Sequence, residues 1–566
     1  MSGAGERDAP AVSGTLASAR ALIARELLDA HDPTLSLGAI TLHPHQRRAV
    51  VRISKLLASH GGALLADPTG LGKTYVALAV ASDVDHLLIV CPAALRENWT
   101  RALDRAGRTA QLISRERLSR GIPDQTGAPE LVIVDESHHL RNPNTKCYDA
   151  VASLCDRRRI LLLSATPVQN RRDDLIAQLA LFLGGAAYEM TDQELARFVV
   201  RRDTADSLAR LPTVVGPHWI TLPVEDDVLD EIMRLPPCVP LADEGKAHAL
   251  LRYVLLRQWS SSHAALIAGL RARLARGVAL LAALDAGRRP TRRELTAWSH
   301  TEDAVQLALP EMLVPLAVAP EDGTALRESA VEHVAAVRAL LNRLRGVHDA
   351  DLARSDALRE LRRRHGDARI IAFSQYAATV RGLSQLLMHR DGGVAELTGR
   401  GGRVAGGRLS RAEVLAQFSP GTPHVGAAER IDLLLTTDLA SEGLDLQRAS
   451  VVVHLDLPWN PARLEQRVGR VRRLGGQHER VFVYAMAPPA RSEHVLDVET
   501  RLRAKLRVAA HVIGLTSTSL PDIEADDVDA PPALTSDVYT ALECWRSADD
   551  APKSDPDAPS LYAAAH

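Results

Sequence analysis

Two series of short apolar runs, each interrupted by helical stretches, constrain this chain more than any other feature of its sequence. The first series occupies residues 62–66, 87–90, 131–134 and 160–163, and the second occupies residues 369–373, 431–436, 451–455 and 481–484. Strands that alternate with helices along a chain form parallel sheets covered by helices on both faces. The pattern therefore predicts an α/β fold with two lobes.

Strand signals disappear between the two series. Leu/Ala/Arg-rich segments such as 264–284 and 330–344 show helical periodicity there, so we predict a helical insertion. After about residue 520, Asp, Pro and Ala dominate, and such a segment buries too little apolar area to order fully. The predicted domains are an N-terminal helix with a mobile start (1–35), a first lobe (36–224), the helical insertion (225–367), a second lobe (368–515) and a partly disordered acidic tail (516–566).

The charge and cysteine content exclude several classes of protein. The net charge of −2 by itself predicts neither a nucleic-acid binder nor an acidic surface, but residues 521–566 carry −9, which leaves a body of +7. The five cysteines form no C-x-x-C pair, which argues against a disulfide framework or a zinc knuckle. No apolar run approaches the ~20 residues that cross a bilayer, and acids stand where a signal peptide would be basic and then apolar. We expect a cytoplasmic protein with no membrane partner, associated with the nucleoid if it binds DNA.

The segment from Asp67 to Thr74 has the features of a phosphate-binding loop. It follows an apolar run, contains Gly70 and Gly72, and enters a helix at Lys73. Such glycines let backbone N–H groups point at one anion, and the helix N-terminus adds favourable potential. Lys73 would reach the β- and γ-phosphates of ATP, while Thr74 would hold Mg²⁺. A glycine-rich turn without a ligand is the alternative for this segment alone. The candidate nucleotide-binding residues here are Asp67, Gly70, Leu71, Gly72, Lys73 and Thr74.

Two acidic residues directly follow the apolar run 131–134. A carboxylate at the carboxyl end of a buried strand lies in the crevice where open α/β sheets bind ligands. Asp135 can therefore hold Mg²⁺, and Glu136 can orient the attacking water. Taken alone, two acids after a strand are equally consistent with a solvated turn. Together with the glycine loop, they favour a nucleotide hydrolase.

The order of motifs along the chain resembles that of superfamily-two helicases and, in detail, that of the Swi/Snf-related translocases of double-stranded DNA. The motifs are Gln46, DPTGLGKT (67–74), LLIVCPAAL (87–95), DESH (135–138), LSATPVQN (163–170), IIAFSQY (370–376), TTDLASEGLDL (436–446) and LEQRVGRVRRLGGQ (464–477). The resemblance covers about 42–212 and 369–488, including FVVRR…LP (198–212) at the expected end of the first lobe. It is closest to bacterial members, including the branch that recycles stalled RNA polymerase. Ser137 is a departure, since Ala or Gly is common there.

The resemblance implies two RecA-like lobes, ATP and Mg²⁺ as cofactors, and double-stranded DNA as partner. It also implies roles for particular residues. They are adenine recognition by Gln46, coupling by Ser164 and Thr166, nucleotide or backbone contacts by Gly443 and Asp445, and a γ-phosphate-facing set of Gln466, Arg470 and Arg473. With Lys73, Asp135 and Glu136, this last set completes the candidate catalytic residues.

The arginine spacing agrees with that assignment on chemical grounds. A guanidinium supplied to the transferred phosphoryl group can contribute ~10³–10⁵ in rate. Arg467, Arg470 and Arg473 recur at intervals of three, so Arg470 and Arg473 should lie near one helical face. This predicts that hydrolysis depends on closure of the lobes. In a chain with many arginines, a solvated face is the alternative.

Binding that follows a nucleic acid without reading its sequence should use phosphate contacts. Candidates follow the ends of predicted strands, at Pro92-Ala93 with Arg96, at Ser374-Gln375 and at Thr436-Thr437. We expect an ATP-dependent translocase on double-stranded DNA. One setting for it is as the motor of a multi-subunit bacterial assembly, such as an anti-phage defence or transcription complex. The alternatives are a strand-separating DNA or RNA helicase and a nucleotide-gated scaffold subunit.

Overall fold

The structure is a computed structural model in which the chain divides into two compact units, Met1–Arg210 and Leu211–His566. The described residues are 36–121, 128–156, 158–167, 172–201, 211–223, 228–238, 246–287, 323–345, 351–419, 430–438, 446–458, 461–473, 476–489, 491–492 and 496. The predicted segments 1–35 and 516–566 lie outside these residues. Within them, no helix combines the length and apolarity needed to cross a membrane.

A parallel sheet of six strands forms the centre of the first unit. The strands of this unit are the small antiparallel pair β1 (Ser36–Leu37) and β2 (Ile40–Thr41), followed by the sheet strands β3 (Gly62–Leu65), β4 (Leu87–Cys91), β5 (Gln111–Ser114), β6 (Leu131–Asp135), β7 (Arg159–Leu163) and β8 (Val199–Val200). The order in the sheet is β5-β4-β6-β7-β3-β8, with every pair parallel. All four apolar runs predicted for this lobe are strands, and they occupy the centre of the sheet.

Helices pack against this sheet. They are α1 (Pro44–His60), α2 (Lys73–Val80), α3 (Arg96–Ala106), α4 (Arg115–Leu118), α5 (Lys146–Cys155), α6 (Asp173–Leu183), α7 (Ala186–Glu189) and α8 (Asp192–Ala196), with 3-10 turns at Ala93–Leu95 and Ser137–Leu140. Helix α1 starts with proline at its first position, which suits the fixed φ of that residue, and ends at Gly61 in the left-handed conformation (φ 74°). Its buried Ile53 shares a core with Ile89 and Leu163 of the sheet.

The second unit contains a sheet of eight strands. They are β9 (Thr213–Ile220), β10 (Arg369–Ser374), β11 (Val394–Thr398), β12 (Gly401–Val404), β13 (Gly407–Leu409), β14 (Leu433–Thr437), β15 (Ala449–His454) and β16 (Arg480–Met486). Their order is β13-β12-β11-β14-β10-β15-β16-β9. The six strands from β11 to β9 in this order are parallel, whereas β12 and β13 form an antiparallel hairpin at one edge. All four predicted runs of this lobe are again strands.

Strand β9 corrects the predicted boundary of the first lobe. The sequence placed residues 36–224 in that lobe, but Thr213–Ile220 pairs in parallel with β16 of the second sheet. Gly216 and Pro217 interrupt the apolar pattern of this segment and conceal it as a strand. Proline is tolerated because β9 is an edge strand.

The region between the two series of strands is helical where it is described, and it belongs to the second unit. Its helices are α9 (Leu229–Arg234), α10 (Lys246–Ser261), α11 (His263–Asp285), α12 (Gly323–Leu344) and α13 (Leu352–His365), and the helices further along are α14 (Ala377–Met388), α15 (Arg411–Ala416) and α16 (Pro461–Val471). Leu255 and Leu266 share one apolar cluster with Leu457 and Ala485. The predicted insertion therefore shares a core with the second sheet.

Candidate nucleotide-binding site

The turn between β3 and α2 has the backbone of a phosphate loop. Gly70 (φ 86°) and Gly72 (φ 79°) both adopt left-handed conformations, and α2 begins at Lys73. A Cβ atom on Gly72 would stand 2.4 Å from Nε2 of Gln46, so no larger residue fits at this position without displacing that side chain. The turn thus needs glycine for its conformation and for space.

The ammonium group of Lys73 is held by backbone oxygens of the turn. Nζ of Lys73 donates to the backbone oxygen of Asp67 at 2.9 Å, with that of Pro68 at 3.4 Å. Thr74 is half-buried in the first turn of α2. A helix N-terminus, an ammonium group and a hydroxyl therefore meet at one end of the sheet, which is the arrangement that binds phosphate and Mg²⁺.

Gln46 supports this turn from α1. Its Nε2 donates to the backbone oxygen of Leu71 at 3.1 Å, and its Oε1 accepts from the backbone N–H of His43 at 2.9 Å. The side chain is only 3% exposed. The resemblance implied adenine recognition by this residue. In the structure its amide connects the start of α1 to the phosphate loop, a contact that the sequence analysis did not anticipate.

The carboxylate pair lies at the carboxyl end of β6, as predicted. Oδ2 of Asp135 accepts from the indole Nε1 of Trp99 at 2.9 Å, and Oδ1 accepts from the backbone N–H of Glu136 at 2.9 Å. Burial and the neighbouring Glu136 carboxylate raise the pKa of Asp135 to about 6, while Trp99 and the Lys73 ammonium oppose this shift. Strands β3 and β6 both pair in parallel with β7, so the two predicted motifs follow carboxyl ends at the same edge of the sheet.

Glu136 has an unusual backbone. Its φ of 51° lies in the left-handed region, and no other non-glycine residue in the described ranges has a positive φ. Its Oε2 is buried without a hydrogen-bond partner among the described groups, although it lies 3.3 Å from Nδ1 of His138. A strained residue with an unsatisfied carboxylate oxygen is typical of a catalytic position.

His138 connects this acid to the predicted coupling segment. Its Nδ1 lies 3.3 Å from Oγ of Ser164, and that oxygen accepts from the backbone N–H of Thr166 at 3.2 Å. Oγ1 of Thr166 is buried and, among the described residues, has no hydrogen-bond partner. The contacts therefore form a continuous path from Glu136 to Ser164 and Thr166. His138 is not among the residues predicted from the sequence for this path.

Gln178 of α6 is a further polar residue that the sequence analysis missed. Its Oε1 accepts from Oγ of Ser137 at 2.9 Å, and its Nε2 donates to the backbone oxygens of Pro167 and Asp174, both at 2.7 Å. Ser137 and Gln178 are both fully buried. Ser137 is also a position at which this chain departs from the family pattern, and its hydroxyl has Gln178 as a partner.

Helix α16 of the second unit carries the predicted arginines. Arg467 is 2% exposed and makes a bidentate ion pair with Asp438, at 2.5 and 2.9 Å, and a weaker one with Asp456 at 3.4 Å. It therefore fixes α16 within its own unit. Gln466 and Arg470, one turn apart, are half-buried, and no side-chain partner for either is found in the described part of the chain.

The structure describes only some of the other residues predicted for the second lobe. Nε of Arg473 lies 3.4 Å from the backbone oxygen of Gly469. Gly443 and Asp445 lie outside the described residues. The roles assigned to Gln466, Arg470 and Arg473 toward the γ-phosphate stay predictions.

Most of the predicted nucleic-acid contacts are buried side chains. Asp456 accepts from the hydroxyl of Ser374 and from the backbone N–H of Gln375 at 3.0 Å, and both Thr436 and Thr437 are buried. These groups therefore make contacts within the second unit, and their role toward a nucleic acid stays a prediction. In the first unit, Ala93 and Arg96 are exposed, although the backbone N–H of Ala93 donates to Glu116 at 3.1 Å.

The residues of the first unit fit Mg²⁺ and ATP. Left-handed glycines shape the loop, Thr74 and Asp135 are suitable oxygen ligands, and buried oxygens of Glu136 and Thr166 have no hydrogen-bond partner among the described residues. Parallel sheets with such a site define a nucleoside-triphosphate hydrolase.

Comparison with known proteins places the chain more narrowly. A model of the SNF2-related domain matches residues 121–240, and a model of the helicase conserved C-terminal domain matches residues 353–475. The chain therefore contains a SNF2-related domain and a helicase conserved C-terminal domain, which indicate an ATPase of helicase superfamily two. The predicted family and reaction class are confirmed.

Individual proteins similar to this chain include two relatives and one solved structure. An uncharacterized ATP-dependent helicase, YqhH of Bacillus subtilis, is 25% identical over 88% of this chain and 84% of its own length. The RNA polymerase-associated protein RapA of Photobacterium profundum is 24% identical over 77% of this chain, which spans 47% of RapA. The Sulfolobus solfataricus SWI2/SNF2 ATPase core, solved in complex with dsDNA, matches 85% of this chain and 99% of its own at 17% identity, with a TM-score of 0.31.

Proposed function

We propose that the protein hydrolyses ATP with Mg²⁺ and couples hydrolysis to movement along double-stranded DNA. The observation that carries this proposal is that Lys73, Asp135, Glu136 and Thr166 all lie at or after the carboxyl ends of the neighbouring parallel strands β3, β6 and β7. A SNF2-related domain matches residues 121–240 and a helicase conserved C-terminal domain matches residues 353–475, on either side of most of the helical region. The resemblance to duplex-DNA translocases supports the choice of DNA.

In this proposal each residue of the first unit has one task. The backbone N–H groups of the glycine turn and the Lys73 ammonium bind the β- and γ-phosphates. Thr74 and Asp135 would hold Mg²⁺, which when bound neutralises charge on the phosphates. Glu136 orients the attacking water through its carboxylate.

Coupling would use the polar path beside this site. Nδ1 of His138 lies 3.3 Å from Oε2 of Glu136 and 3.3 Å from Oγ of Ser164, so His138 links the two residues. A change in the hydrogen bonding of Glu136 during hydrolysis would therefore reach the segment Ser164–Thr166. Arg470 and Arg473 would add positive charge to the γ-phosphate, as the resemblance implies.

ATPase measurements with duplex DNA, single-stranded DNA and RNA test the proposal. We expect duplex DNA to give the largest stimulation, with triplex displacement but no strand release from forked duplexes. Stimulation should weaken steeply with salt because phosphate contacts release counterions. Glu136→Gln should bind ATP yet lose turnover and displacement, which excludes a contaminating ATPase. A rate that is indifferent to every nucleic acid, or strand release without duplex tracking, would contradict the proposal.

We further propose that the protein works as the motor of a multi-subunit bacterial assembly located at the nucleoid, with anti-phage defence as one such setting. The relationship to an RNA polymerase-associated protein supports a partner-bound role. Affinity purification of the tagged protein at native expression, with and without nuclease treatment, tests this. Recovery of the protein alone under both conditions would contradict it.

A further inference from the structure

A small β-hairpin at the edge of the second sheet has no part in the site described above. Strands β12 and β13 pair in antiparallel fashion, with Gly402 opposite Leu409, Arg403 opposite Arg408, and Val404 opposite Gly407. Strand β13 is the outermost strand of the sheet. The sequence analysis predicted neither strand.

The two faces of this hairpin differ sharply. On the inner face, Val404 and Leu409 pack against the core that contains Val414, and a Cβ on Gly402 would lie 2.6 Å from Cγ2 of that valine. The alternate residues Arg403 and Arg408 are exposed. Packing of the inner face therefore fixes both arginines on the outer face.

The paired arginines have an unfavourable arrangement in the protein alone. Like charges directly opposite each other on neighbouring strands destabilise a sheet. Residues 398–411 contain four arginines and no acid. Glu396 stands opposite Arg403 on β11, but it is buried and accepts from the hydroxyl of Ser384. No hydrogen bond or ion pair to Arg403 or Arg408 is found among the described residues. Exposed arginines elsewhere in this unit do have partners, as Arg363 has in Glu360 at 2.7 Å.

We infer that Arg403 and Arg408 bind phosphates of the DNA backbone, an inference that rests on the proposed function and names one of its contact surfaces. Directly opposed residues stand about 5 Å apart, so two guanidinium groups can bind neighbouring phosphates together. Residues 399–410 contain no aromatic side chain that could stack on a base. The hairpin would therefore bind duplex DNA through charge, independently of its sequence.

Protection of the sheet edge is the competing explanation, because charged side chains on an edge strand also prevent pairing with another chain. The two explanations differ in what the charges contact. Edge protection requires no ligand, whereas phosphate binding changes the number of counterions released when DNA binds.

The test compares three double variants of the full-length protein in fluorescence-anisotropy titrations with duplex DNA over a series of salt concentrations. In Arg403→Gln/Arg408→Gln, the slope of log K against log salt should become shallower by about 2, since two phosphate contacts are lost. Arg403→Lys/Arg408→Lys should keep most of the slope. The matched control Arg363→Gln/Arg364→Gln, which removes two exposed arginines from α13, should keep all of it.

Each outcome decides the inference. A wild-type slope in Arg403→Gln/Arg408→Gln overturns it, and self-association of that variant by light scattering would then identify edge protection. If the slope becomes shallower while DNA fails to stimulate the wild-type ATPase, the phosphate site stands and the proposed function fails. Wild-type protein that does not bind duplex DNA would overturn both.

Discussion

At the scale of single residues, the site depends on side chains that hold the predicted acids in place. The sequence identified Asp135 and Glu136, because acids after an apolar run have a known position in a parallel sheet. It could not identify the left-handed backbone of Glu136, which costs on the order of 1–3 kcal/mol and depends on the surrounding fold. Nor could it identify Trp99, which is 36 positions away in sequence from the carboxylate it contacts.

Trp99→Phe tests whether the indole positions Asp135. The change removes the donor to Oδ2 and leaves that buried oxygen without its bond, so the carboxylate should become a poorer ligand for Mg²⁺. We expect the Mg²⁺ concentration that gives half-maximal ATP turnover to rise by roughly tenfold. Mg²⁺-dependent binding of a fluorescent ADP analogue should shift in parallel, which separates cation binding from turnover.

Trp259→Phe is the matched control for this change. Trp259 is 5% exposed in the core of the second unit, so its replacement removes the same ring volume from a buried position. It should lower the unfolding temperature without moving the Mg²⁺ dependence. An unchanged Mg²⁺ dependence in Trp99→Phe would show that the indole only fills space.

At the scale of helices and strands, the sequence predicts those strands that are continuous apolar runs. Central strands such as β6 and β10 are continuous apolar runs buried on both faces, and these are visible in one sequence. Strand β11 contains Glu396, which is buried against the hydroxyl of Ser384 and breaks the run. Strand β9 contains a proline, and the β12–β13 hairpin is rich in glycine. In these cases tertiary contacts, which a single sequence does not show, compensate for weak local signals.

The contact between the 3-10 turn Ser137–Leu140 and α6 gives a prediction at this scale. Gln178→Met removes the acceptor for Ser137 and the donor to Pro167, and Ser137→Ala leaves the amide oxygen of Gln178 unsatisfied. Each single change should lower the free energy of unfolding by about 1–3 kcal/mol. The double variant has apolar groups at both ends of the Ser137–Gln178 bond. Its free energy of unfolding should therefore fall by about 0.5–3 kcal/mol less than the sum of the two single-variant decreases.

Urea denaturation of the wild type, both single variants and the double variant measures this coupling. Tyr148→Phe is the control. It removes a hydrogen bond to the backbone oxygen of Ala177, which lies on α6 beside Gln178. Its effect should add to that of Ser137→Ala, since these two side chains share no bond. Additivity within about 0.5 kcal/mol for Ser137→Ala and Gln178→Met would show that the bond between them contributes nothing.

At the scale of the whole molecule, charge is distributed unevenly along the chain. The total of −2 combines a body of +7 with −9 in residues 521–566. The hairpin arginines and the ATP-site lysine belong to the positive part, and phosphate binding by that part would be opposed by the acidic segment. Composition alone therefore gave no indication of a nucleic-acid partner, whereas the local distribution of charge does.

Truncation after residue 520 tests whether the acidic segment opposes phosphate binding by the rest of the chain. The shortened chain should bind duplex DNA more tightly than the full-length protein at low salt, because its net charge rises from −2 to +7. The gain should shrink as salt rises from ~50 to ~200 mM, since an electrostatic effect between separate segments is screened over about 10 Å. Replacing the eleven acids of this segment by their amides, at constant length, should reproduce the gain if charge is the cause. A gain that persists at high salt, or that only truncation produces, would mean that the segment acts by occupying space.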